Sequence, residues 1–208
     1  MNDFYDIGSK TQIKRKFKDY LNSIDNVGLK QNKFSLYLSN ILVILLDDMV
    51  LESISYIEKD NITGIYLVKL DYIKFILLNN SKYDFINKYI KSYSSTIRYQ
   101  ENLYFNIEKV YNNLDEKYGK KMMLDNQVKN FLNYILVSIQ YDITNFSCVL
   151  LNFSSKKTFS KDLLIESIKY IIHNDYIFNR MILKLDSYNE IKSDDKEDNE
   201  EKEDETDV

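Results

Sequence analysis

Residues 152–172 read NFSSKKTFSKDLLIESIKYII, and the first nine of them divide one helical pattern from the next. Ser154-Ser155-Lys156-Lys157 has nothing apolar to bury, so it ends the periodicity that precedes it. Thr158-Phe159-Ser160 alternates hydroxyl, aromatic and hydroxyl, which suits a brief extended segment. The Ser160 hydroxyl is then well placed to cap a following helix, because a serine oxygen can accept one of the orphan backbone N–H groups of the first turn. Asp162 adds negative charge where the helix dipole is positive. Beyond it Leu163, Leu164, Ile168, Ile171 and Ile172 recur at helical spacing, which predicts a short helix from Ser160 to Asn174.

Working upstream, the apolar residues Val128, Phe131, Leu132, Ile135, Ile139, Phe146 and Val149 predict a long helix from Asp125 to about Phe153. A short helix over Leu103 to Tyr118 precedes it, with Ile107, Val110, Tyr111 and Leu114 on one side and Gly119 at its end. The same order stands earlier in the chain. Ile13, Phe17, Leu21 and Ile24 form a short stripe, broken by Asp25-Asn26-Val27-Gly28. A long helix is expected from Phe34 to about Glu58, carrying Leu38, Ile41, Leu42, Leu45, Met49 and Ile54. Asp60-Asn61 breaks it, and Ile65 to Leu78 is expected as a third, shorter helix. Short, long, short thus occurs twice, roughly 96 residues apart. Asn61-Ile62-Thr63 stands in the first round where Thr158-Phe159-Ser160 stands in the second, with a hydroxyl again ready to cap.

Composition bounds the function. The 208 residues contain no proline, the strongest helix breaker, and 44% hydrophobic residues, enough for a core. A lone cysteine, Cys148, excludes an internal disulfide and fits a reducing, intracellular setting. No basic-then-apolar leader opens the sequence, so secretion is not expected. The most apolar run, Ile41 to Leu46, is far below the roughly 20 residues that cross a bilayer, so no membrane partner is expected. The net charge of −4 is unevenly distributed. Residues 186–208 carry twelve acidic groups and three lysines, leaving residues 1–185 mildly basic. The tail from Lys192 has high charge and no apolar face, the composition of a disordered segment.

Lys156-Lys157-Thr158-Phe159-Ser160, followed by Leu163-Leu164, Ile168 and Ile171-Ile172, resembles the second loop and third helix of the histone fold, most closely the H2B type. In the first half, Glu58-Lys59-Asp60-Asn61-Ile62-Thr63 is the counterpart, with a single lysine and Gly64 following. The whole resembles the histone doublets of large DNA viruses, in which two histone folds share one chain. The resemblance implies an all-α protein with two histone-fold-like halves forming a pseudo-dimer, heterodimer-like within one chain. The halves are expected at 1–80 and 103–175. A connector at 81–102, a C-terminal helix at 176–191 (centred on Tyr176 to Leu185) and a disordered acidic tail at 192–208 complete the chain.

The resemblance further implies binding of duplex DNA without sequence specificity, in chromatin-like or virion DNA packaging, in a nucleus, viral factory or virion. Other histone-fold proteins are further possible partners, and an oligomer is compatible with the reading. In such a pseudo-dimer, the first loop of one half lies beside the second loop of the other. That would bring Lys30 and Lys33 near Lys156 and Lys157, and Lys117, Lys120 and Lys121 near Lys59. An N-terminal group of Lys14, Arg15, Lys16 and Lys18, beside Lys10, adds to the basic surface. Lysines gathered on phosphates release counterions, which gives affinity without base readout. The alternative is a histone-fold interaction scaffold in a transcription or assembly complex, without direct DNA contact.

Catalysis, cofactors and metals are not expected. One histidine, His173, and one cysteine cannot assemble the usual nitrogen and sulfur set for zinc. His173 reads as a helix-terminal structural residue and Cys148 as a small buried apolar one. Asp47-Asp48 interrupts an apolar run in mid-helix, where neighbouring side chains diverge by about 100°. They are expected to mark a solvent edge or to pair with a lysine. Tyr83, Tyr89, Tyr93 and Tyr99 in the connector are available for stacking on bases or partners, although tyrosine is abundant throughout.

Overall fold

The structure, a computed structural model, describes residues 34–59, 66–94, 122–154 and 158–183. The described residues are mostly helical, as an all-α protein requires. In chain order they form α1 (Phe34–Lys59), β1 (Tyr66–Val68), α2 (Leu70–Asn79), a 3-10 turn (Ser81–Ile86) and α3 (Asn87–Ser92). There follow β2 (Met122–Leu124), α4 (Asn126–Phe153), α5 (Lys161–Ile172) and α6 over residues 175–183. The expected short helices near 13–24 and 103–118, and the acidic tail, lie outside the described residues.

The two long helices begin and end close to where the apolar pattern predicts. Asp125 caps α4, its carboxylate accepting the backbone N–H of Gln127 at 3.0 Å. Ser160 caps α5 as expected, its hydroxyl accepting from the Leu163 N–H at 3.3 Å, and Thr158 forms an isolated β bridge. The third helix of the first half is different. It starts at Leu70, not Ile65, and its cap position, Lys69, supplies no side-chain bond. Tyr66–Val68 is a strand instead. Ile65-Tyr66-Leu67-Val68 is a continuous run of aliphatic and aromatic residues, which periodicity alone cannot assign to helix or strand. Pairing in parallel with Met122–Leu124 decides it, with Tyr66 opposite Met122 and Val68 opposite Leu124.

The repeat is tighter than the sequence spacing suggests. Along the long helices the offset is 94 residues. Leu38 matches Leu132, Ile41 matches Ile135, Leu42 matches Leu136, Leu45 matches Ile139 and Met49 matches Ile143, and all of these are fully buried. Ser53 and Ser147 also match, each turning its hydroxyl back onto the carbonyl four residues earlier, at 2.8 and 2.7 Å. In the third helices the offset falls to 91, so that Ile73 matches Leu164 and Leu77 matches Ile168. Three residues fewer in the second connecting loop account for the change.

Packing follows the same plan. α1 lies against its own third helix, α2, and against α5, while α4 lies against its own third helix, α5, and against α2. Each long helix is therefore held by both α2 and α5, and a single apolar core joins the two. α1 is buried on every side from Asn40 to Val50, as a helix apolar nearly all round must be. α4 is the one described helix long and apolar enough to cross a membrane, although the most apolar run of the sequence lies in α1. Its stripe from Val128 to Ile143 is fully buried in this core.

Candidate functional site

The most highly organised polar sites in the described residues lie on the two long helices. Asp48 and Asp142 occupy matching positions, and each collects a tyrosine hydroxyl and a cation. The expectation that Asp47-Asp48 marks a solvent edge is corrected, because both residues are buried. The Asp48 oxygens are saturated: the Tyr83 hydroxyl donates to Oδ2 at 2.9 Å, Lys82 stands 3.7 Å away, and Arg180 bonds Oδ1. Pairing with lysine was half of the answer; the arginine comes from α6, at the far end of the chain. Burial alone would lower the Arg180 pKa, but Asp48, Tyr176 and Asp47 together outweigh it and hold the guanidinium above its ordinary value. Burial first, and then the Asp48 charge and hydrogen bond, push the Tyr83 hydroxyl well above the usual tyrosine range.

Asp142 repeats the device in a more open setting. The Tyr89 hydroxyl donates to its Oδ2 at 2.6 Å and Lys88 reaches the same oxygen at 2.5 Å. Burial, reinforced by the bond to Asp142, pushes Tyr89 up as well. Both cations reach across. Lys88, on the extension after α2, grips the long helix of the second half, and Arg180, on the extension after α5, grips the long helix of the first. The extensions also start alike, with Asn80 accepting from the Lys82 N–H and Asn174 from the Ile177 N–H.

The connector tyrosines therefore do not project as a stacking surface. Tyr83 and Tyr89 are consumed by the aspartates, and Tyr93 packs edge-on against Phe131, its ring centroid 5.1 Å away. Tyr99 lies outside the described residues. No sequence signal singled out this arrangement, since the acids and their partners are far apart in the chain.

Of the basic residues expected on DNA, Lys59 ends α1. Lys14, Arg15, Lys16, Lys18, Lys30, Lys33, Lys117, Lys120, Lys121, Lys156 and Lys157 lie outside the described residues. Lys121 directly precedes β2 in sequence, and β2 runs beside the strand that follows Lys59.

His173 sits at the C-cap of α5 with left-handed backbone, φ 46°, exposed and edge-on to Tyr170. Burial pushes the Cys148 thiol up to about 11, which leaves little thiolate at neutral pH. Among the described residues no group of three or more His, Cys, Asp or Glu gathers as a metal site would need. No protein-family model, curated protein or solved structure matches this chain.

Proposed function

We propose that this chain is a histone-like protein in which two halves form a pseudo-dimer that binds duplex DNA without sequence specificity, in chromatin-like or virion packaging. The observation that carries the reading is the parallel pairing of β1 with β2. It joins the loop after the first long helix to the segment before the second, the contact expected where two histone-fold halves meet. The reciprocal grip of both third helices on both long helices supports it further.

In this reading the lysines at each end of the pseudo-dimer gather on phosphates, and the acidic tail competes with DNA for them. An acidic tail tethered to a basic body acts at high effective concentration. The modest basicity of residues 1–185 favours the second reading, a protein-interaction scaffold.

Binding of a duplex by the full chain and by a 1–185 truncation, at low and moderate salt, separates the two. The DNA reading expects salt-sensitive binding, stronger without the tail and weakened by Lys156→Glu with Lys157→Glu. Absence of binding by either protein, both folded by circular dichroism, would leave the scaffold.

A further inference from the structure

The segments that follow α2 and α5 are held unequally. Residues 80–93, after α2, bury Tyr83, Ile86, Tyr89 and Ile90. α6, after α5, buries only Ile177 and Met181, while Tyr176 and Leu183 stay 60% and 71% exposed. A helix this short does not persist alone in water, so α6 depends on what it packs against. Two apolar anchors leave much of that task to the ion pair of Arg180 with Asp48.

α6 is also detached from α5 along the backbone. The ladder of α5 ends with the His173 N–H on the Lys169 carbonyl, and that of α6 begins with the Phe178 N–H on the Asn174 carbonyl. Among the described residues no backbone hydrogen bond spans the two. Asn174 caps α6 from within the same segment, its side chain accepting the Ile177 N–H at 3.0 Å. Between the ladders stands His173, at φ 46° the one non-glycine residue with left-handed backbone among those described. A residue at an element end, outside both ladders, is where a hinge absorbs a change of φ and ψ. α6 can therefore leave its seat with its cap intact and with α5 unbroken.

The surroundings of Asp48 tolerate that departure. Arg180 holds Oδ1, whereas Oδ2 receives the Tyr83 hydroxyl at 2.9 Å and has Lys82 3.7 Å away. Neither of those belongs to α6, and Glu52 keeps Lys82 in place at 2.5 Å. The carboxylate therefore retains a cation and a hydrogen bond when Arg180 goes, and water reaches the side that Arg180 leaves. Arg180, already 31% exposed, is solvated in its turn. We infer that α6 is a strap that opens by itself, turning about His173 and clasped by Arg180 on Asp48. Its opening bares the Asp48 carboxylate on α1 and the apolar surface beneath Ile177 and Met181, while α5 and the core it packs against stay folded.

Hydrogen exchange of the full chain, read amide by amide, tests the strap. α6 should exchange well ahead of α5, and dilute urea should hardly change its rate, because the opening exposes little surface. Arg180→Ala removes a charged hydrogen bond and should speed exchange in α6 by roughly tenfold or more, with α5 unchanged. This variant isolates the clasp, since it leaves Asp48 with Tyr83 and Lys82. Exchange of α6 and α5 at one common rate, with one urea dependence, would overturn the inference. So would an Arg180→Ala chain in which α6 is no less protected, or in which α5 loses protection to the same extent.

Discussion

Asp48 and Asp142 stand 94 residues apart at matching places on the two long helices, yet they hold their surroundings with different strength. Asp48 is 4% exposed and answers to Tyr83, Lys82 and Arg180, whereas Asp142 is 34% exposed and answers to Tyr89 and Lys88. A carboxylate out of water needs its partners, since an uncompensated buried charge is expensive. One at the surface is solvated whether or not its lysine is present, and salt screens what remains. The same chemical device is therefore a structural necessity in the first half and an adjustable contact in the second. The two segments differ likewise: α6 is tied into the core through Arg180 as well as through buried Ile177 and Met181, while α3 is held by Tyr89, Ile90 and one more exposed pair.

The comparison can be broken experimentally. The largest effect is expected from Asp48→Asn, which leaves the half-buried Arg180 without its acid, while Lys82 keeps Glu52. We expect a loss of roughly 3 kcal/mol by urea denaturation, and loss of the α6 contact in hydrogen exchange. Equal losses from Asp48→Asn and Asp142→Asn would erase the distinction.

An intermediate effect should appear at alkaline pH. Tyr83 and Tyr89 are raised in the folded protein, so the unfolded chain loses their protons first, near pH 10. The stability they contribute is fully present below that pH and is lost as pH rises above it. Tyr83→Phe should flatten this alkaline decline at the cost of about 1 kcal/mol at neutral pH. An unchanged alkaline profile in the variant would show that Tyr83 is not the titrating group. The smallest effect is expected from Lys88→Ala, under about 1 kcal/mol and absent at high salt. A salt-insensitive loss of several kcal/mol would mean that Asp142 is as dependent on its cation as Asp48.

How much of this could be read from the sequence depends on the range of each interaction. The long helices were legible because their apolar stripes persist for more than four turns, from Leu38 to Ile54 and from Val128 to Leu151. The Ser160 cap was legible because its acceptor and donor lie three residues apart. β1 was not, because Tyr66–Val68 becomes a strand only through a partner more than fifty residues later. The Asp48 cluster was still harder, with Tyr83 separated by 35 residues and Arg180 by most of the chain. Asp47-Asp48 in an apolar run announced that something had to neutralise it, but not what. The exposure of Val149 was hidden for another reason: it shares the periodicity of the core residues around it, and only the fold tells which face is left uncovered.

The central claim, that paired loops of a two-half chain hold DNA through lysines, is most directly tested by the salt dependence of duplex binding. The logarithm of affinity should fall linearly with the logarithm of salt, with a slope set by the phosphates neutralised. Reversing Lys120 and Lys121, next to the β1–β2 pair, should reduce the magnitude of that slope by about 2. Reversing Lys156 and Lys157 should do the same, because the proposal gives both ends the same role. A slope unchanged by either pair, or no binding at low salt by the folded 1–185 truncation, would contradict the account.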